Sequence, residues 1–170
     1  GGGITLISND KVVENFNEEN GLYDNKIRCI VEDREGNILI GTNDNGILVF
    51  KGRKFMSFSK TDGLINDQVW AISQDIKGKL WFGTNDGLTV FSPETRIYES
   101  YTTQNSKLIS KQVRFLKSDK NGNMWIGTDN GVQLYRLDRN EFFYDMLINF
   151  SFPRSNSLVS ALEVDKNNNL

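Results

Sequence analysis

The sequence predicts an all-β fold, a β-propeller built of four-stranded antiparallel blades, on three observations. First, a motif recurs: D-x-x-G-N-x-L-I-G-T begins at Asp33, D-x-x-G-K-L-W-F-G-T at Asp75, D-x-x-G-N-M-W-I-G-T at Asp119, and a further copy starts at Asp165. Successive starts lie 42, 44 and 46 residues apart, the mark of stacked units each too small to bury its own apolar face. Second, short runs alternate with period two between turn residues, and no stretch of about ten residues carries a helical period. Third, four such strands within one period match the size of a propeller blade.

The units follow in order. Residues 1–20 form a partial unit, because Gly3 aligns with Gly46, Gly87 and Gly131 and so stands just after the expected W-x-G-T strand; its outer strand is KVVENF. The next unit spans 21–62 and the one after it 63–106, where VWAISQD, KLWFGT, GLTVFS and IYESYT read as four strands. Lys77-Gly78 there, and Gly122-Asn123 in the unit spanning 107–152, supply tight-turn chemistry. Residues 153–170 begin another unit and stop before its W-x-G-T strand. Both ends fall inside a repeat and neither carries polar capping sequence. The expectation is a fragment of a longer propeller, with a closed four-bladed ring as the second choice. An exposed blade face would favour association with another copy.

Positions held between units read as packing. Ile27, Val69, Val113 and Val159 each precede an apolar residue by three (Ile30, Ile72, Leu116 and Leu162), which predicts an innermost strand in contact with neighbouring blades. Trp81 and Trp125 stand two residues before Gly-Thr, where the first copy has Leu39. A ring beside glycine packs where another backbone approaches, so both indoles are assigned to the core rather than to sugar stacking.

Together these residues resemble the two-component regulator propeller repeat. Gly21-Leu22, Asn25 and Ile27 match its opening, Gly63-Leu64, Asp67 and Val69 match it again, and Gly87-Leu88 through Phe91 match its close. The third unit departs with Lys107-Leu108, and the fourth carries Phe152-Pro153-Arg154 in place of the opening. The resemblance implies a segment of a larger, seven-bladed type of propeller. It further implies the extracytoplasmic, periplasmic sensor of a hybrid histidine kinase, with partners in an adjoining propeller and β-sandwich of the parent chain. The kinase would lie outside this chain.

Composition narrows the chemistry. The net charge of −2, with no local Lys/Arg cluster, gives no electrostatic footprint for nucleic acid. No apolar run approaches a membrane span of roughly 20 residues. The chain contains no histidine, which removes Ser-His and Cys-His nucleophile systems and histidine-bearing zinc sites. Cys29 is the single cysteine, and its slot holds Ala71, Phe115 and Ala161 elsewhere, so it is read as a small buried side chain. Asp119-Lys-Asn-Gly-Asn faintly resembles the start of a calcium loop, but the twelfth position is Asn130 and not the closing Glu. The repeated aspartates are therefore turn residues, bonding the backbone through their side chains. No catalytic residue, metal site or cofactor is expected.

Recognition is sought where the units differ. Loops before the innermost strand and after Gly-Thr are polar, including Asn25, Asp67 and Gln68, and crowd one mouth of the axial channel. One inner-strand slot carries Arg28, Trp70, Arg114 and Ser160. Guanidinium forks grip carboxylate, sulfate or hydroxyl groups and an indole stacks on a sugar face, which suits an oligosaccharide, an acidic or sulfated one best. The alternative reading of this slot is packing of Trp70 between blades. Three function classes stay open: a ligand-sensing propeller, a protein-interaction scaffold, and a lyase or hydrolase, the last disfavoured by the missing histidine.

Overall fold

The structure, a computed structural model, describes residues 2–51 and 54–143. Strands β3 (Ile27–Glu32), β4 (Ile38–Thr42), β5 (Ile47–Lys51) and β6 (Lys54–Phe58) form one antiparallel sheet in chain order. The second sheet repeats the plan with β7 (Val69–Gln74), β8 (Leu80–Thr84), β9 (Leu88–Ser92) and β10 (Ile97–Tyr101). The third uses β11 (Val113–Ser118), β12 (Asn123–Thr128), β13 (Gly131–Arg136) and β14 (Glu141–Phe143). Before them, β1 (Ile4–Ser8) and β2 (Lys11–Phe16) make a two-stranded hairpin that corresponds to the outer half of a blade. The only helical element among the described residues is a three-residue 3-10 turn, Lys60–Asp62. These are the expected four-stranded blades. Val159, Ser160, Ala161, Leu162, Asp165 and Phe152-Pro153-Arg154, with the partial unit 153–170, lie outside the described residues.

Each blade hinges on its aspartate. The carboxylate of Asp75 accepts the backbone N–H of Lys77 at 2.8 Å and of Lys79 at 3.0 Å, closing the β7–β8 turn, and its second oxygen accepts Trp81 Nε1 at 2.8 Å. Asp119 does the same for Asn121, Asn123 and the Trp125 indole, at 2.9, 2.8 and 3.1 Å. Asp33 closes its turn through Glu35 and Asn37. The D-x-x-G-x-x-W spacing is thus a single hydrogen-bonded unit, and the turn reading of these aspartates is the observed one.

The Gly-Thr pair joins blades. A Cβ built on Gly83 would lie 2.7 Å from Val113 Cγ1 and 2.9 Å from the Val113 carbonyl oxygen, and one on Gly41 would lie 2.9 Å from that of Val69. Glycine is required because the inner strand of the next sheet passes over it. Thr42, Thr84 and Thr128 are fully buried and donate to the carbonyls of Gly46, Gly87 and Gly131 at 2.9 Å each, locking the following loop. Gly83→Ala is expected to destabilise the fold by about 1–3 kcal/mol, because the clash is partly with backbone that cannot rotate away. Denaturant melts measure it; an effect below about 0.5 kcal/mol would contradict the close approach of the second and third sheets.

Neighbouring sheets meet through β3 and β7 and through β7 and β11, so the V-x-x-I strand is innermost. Val69, Ile72, Val113 and Leu116 are buried as expected. Ile30 departs from the pattern and is 52% exposed. Its side would face the inner half of a preceding blade, and the β1–β2 hairpin supplies only the outer half. Trp81 is buried, with 2% exposure, against Tyr135 of the third sheet. Trp125 is half-buried rather than buried, since no described sheet follows the third. No helix among the described residues is long and apolar enough to cross a membrane.

Candidate functional site

Each inner strand opens on a β-bulge at the same place. Ile27 pairs with Thr42 and Cys29 with Gly41, leaving Arg28 unpaired between them. Val69 pairs with Thr84 and Ala71 with Gly83, which leaves Trp70, and the same shift between Val113 and Phe115 leaves Arg114. A bulge re-aims the side chain of its extra residue. Three bulges in register turn these three residues toward one another.

The result is a stack. The Arg28 guanidinium carbon lies 4.2 Å from the centroid of the Trp70 ring and that of Arg114 lies 3.9 Å from it. Two planar cations this close to one ring overlap if they share a face, so the indole is held between them, one from each flanking blade. Each such contact contributes about 0.5–2 kcal/mol, rising with desolvation. Arg28 donates through Nε to Asn43 Oδ1 at 2.9 Å and through Nη2 to the same oxygen, and Arg114 Nη2 donates to Gln112 Oε1 at 2.6 Å. Both partners are neutral amides. Among the described residues no carboxylate is paired with either guanidinium. Two buried donors, Trp70 Nε1 and Arg114 Nε, have no acceptor among the described residues.

The loops around the stack are tied in pairs. Asp24 accepts the N–H of Lys26 at 2.7 Å and of Asp44 at 2.9 Å, linking the loop before β3 to the loop after β4. In the next blade Asn66 accepts from Gln68 N–H at 2.7 Å and donates to Asp86 at 2.6 Å. In the third, Ser110 accepts from Gln112 N–H at 3.2 Å and donates to Asp129. The exposed Asp44 carboxyl is held below the usual carboxylate range, chiefly by its bond with the Asn43 side chain, with Lys26 and Gln68 adding to it.

Of the six residues singled out from sequence, the structure brings Arg28, Trp70 and Arg114 together. Asn25 exchanges two 3.2 Å bonds with Glu18 in its own loop, and Asp67 accepts the N–H of Lys60 at 2.7 Å. The Gln68 side chain helps lower the Asp44 carboxyl across the blade seam, while its backbone N–H donates to Asn66. The Trp70 faces, read from sequence as open to a sugar ring, are covered by the two guanidinium groups. Sequence reasoning places Asn43 and Gln112 in the polar loops at the mouth but does not pair them with the arginines, and it does not reach the bulges; a polar residue beside the same slot in successive units is the available signal. Cys29 is half-buried with its sulfur beside Gly41, and burial pushes its thiol up to about 11, leaving it a poor nucleophile.

Comparison with known proteins places this geometry. The model of the two component regulator propeller matches residues 24–44, 63–86 and 107–130. The chain is similar to the extracellular domain assigned to the hybrid two component system BT3049 from B. thetaiotaomicron, with 26% identity and a TM-score of 0.81. The match covers 98% of this chain and 23% of that one. The extracellular domain assigned to the one component system BT4673 of the same organism matches over 94% of this chain and 22% of its own, at 22% identity and a TM-score of 0.73. Virginiamycin B lyase from Staphylococcus aureus shares the fold alone, at 16% identity and a TM-score of 0.56 over 69% of this chain and 40% of its own. No curated protein matches the chain. Each matched stretch runs from the loop before an inner strand to the loop after Gly-Thr, the segment that carries the bulge and the aspartate turn, and in these three stretches the chain matches the repeat of the two component regulator propeller.

Proposed function

We propose that this chain is a ligand-sensing propeller segment of a hybrid two-component sensor, and that its Arg28–Trp70–Arg114 stack receives an anionic ligand, an acidic or sulfated oligosaccharide. The observation that carries the reading is the pair of guanidinium groups on one indole, with neutral amide partners and with Trp70 Nε1 and Arg114 Nε still lacking acceptors. Buried donors without acceptors are rare enough in folded proteins to call for an explanation, and a carboxylate or sulfate supplies both acceptor oxygens and countercharge. Arg28 and Arg114 belong to different blades. A ligand bridging them would bias how the inner strands sit, a displacement that adjoining propeller and β-sandwich domains could pass to a kinase domain beyond this chain. The segment would bind rather than catalyse, in the periplasm. Leu6, Ile7, Val12 and Val13, exposed on the β1–β2 hairpin, favour in addition a contact with an adjoining domain or another copy.

Calorimetric titration with oligogalacturonate and with a sulfated disaccharide tests this. Arg28→Ala and Arg114→Ala are each expected to weaken binding about tenfold to a hundredfold, as loss of a charge-assisted hydrogen bond does, and raised salt is expected to weaken it further. Circular dichroism verifies that the variants stay folded. Unchanged affinity in both folded variants would remove the stack from recognition.

A further inference from the structure

The seam between the first and second sheets holds a cavity of about 270 Å³, walled by Leu39, Val49, Phe58, Leu80, Phe82 and Phe91, with the Asp33 turn at its rim. The corresponding space between the second and third sheets measures about 30 Å³. The difference has a visible cause. In the second sheet the space is filled by the Trp81 indole, which meets Tyr135 edge-on at 4.9 Å, whereas the first sheet has Leu39 at that position and Phe91 as the facing ring.

The hydrogen-bonding end of the missing indole is also in place. In the third sheet one oxygen, Asp119 Oδ2, accepts both Asn123 Nδ2 at 2.9 Å and Trp125 Nε1 at 3.1 Å. In the first sheet Asp33 Oδ2 accepts Asn37 Nδ2 at 2.8 Å, the equivalent of the first of those bonds. No second donor reaches it from the described residues, because Leu39 has none to offer. An apolar cavity of roughly 150 Å³ is already enough to bind benzene.

We infer that this seam is a binding site for a small planar aromatic molecule bearing a ring N–H, of the indole class, which takes the place of the absent tryptophan and donates to Asp33. The site is separate from the guanidinium stack and does not depend on the function proposed for it. An occupant touches β4 and β5 on one side and β8 and β9 on the other, so it would stiffen the seam that β7 and Trp70 share with the first blade.

Indole titrated into the full 170-residue chain, followed by ¹H–¹⁵N correlation spectra, is the test. Saturable shifts are expected at Asp33, Asn37, Val49 and Phe82. Benzothiophene, of similar shape without the N–H, is expected to bind about tenfold more weakly, as the loss of a hydrogen bond to a charged group requires. Leu39→Trp is expected to raise the melting temperature and abolish the indole shifts. Absence of saturable shifts in the unaltered chain, shifts scattered away from the seam, or equal binding of benzothiophene would each overturn the inference, whether or not the variant folds. Undiminished indole binding by a folded Leu39→Trp protein would overturn it as well.

Discussion

Trp81→Ala is expected to destabilise the fold by about 3 to 5 kcal/mol, the range for removing a buried large aromatic side chain. The indole is 2% exposed and sits within the apolar cluster between the second and third sheets with Leu88, Val90, Met124 and Tyr135. Deleting it opens a seam that no neighbouring rigid strand can close, and it withdraws the third donor from the Asp75 carboxylate. Denaturant melts of the variant measure the loss. A value under about 1 kcal/mol would mean that the seam does not depend on this ring. Trp81→Phe, which keeps a ring but not the N–H, is expected to fall between the unaltered protein and Trp81→Ala.

Asp75→Ala is expected to be nearly as severe, at about 3 to 5 kcal/mol, for a polar reason. Asp75 is fully buried and its two oxygens serve the turn amides of Lys77 and Lys79 and the indole of Trp81. Bonds to a charged acceptor contribute about 1.5–3 kcal/mol each, and the buried indole N–H is left without its protein acceptor. The double variant Asp75→Ala/Trp81→Ala is therefore expected to lose less than the sum of the single losses, by about 1 kcal/mol or more. Strict additivity would show that the two residues act independently and that the 2.8 Å bond carries little weight.

Much of this architecture is legible in the amino-acid sequence because the repeats align chemistry as well as spacing. Four features of the copies starting at Asp33, Asp75 and Asp119, namely the aspartate, the glycine of the turn, the large apolar residue and the Gly-Thr pair, mark where strands begin and end. The burial of Trp81 follows from its recurrence beside glycine. The bond from indole to aspartate is not legible in the same way, although six residues separate the pair in both copies, because only the hairpin register folds one back onto the other. Ile30 departs from the expected burial for a related reason: an inner-strand apolar residue is covered by the preceding blade, and a pattern within one unit cannot show how complete that neighbour is.

The sequence by itself determined the all-β class, the blade period, the inner-strand slot of Arg28, Trp70 and Arg114, and the substitution of Leu39 for tryptophan. Only the tertiary structure decided what those residues do. A bulge exists as a mismatch between two paired strands, so the re-aiming of Arg28, Trp70 and Arg114 has no signature in any one strand. The closing of both indole faces by guanidinium groups requires side chains from three blades to converge, and the cavity beside Leu39 requires two sheets to be held apart by their other contacts. Local propensity and period act along the chain, while convergence and voids are properties of how rigid sheets pack against one another.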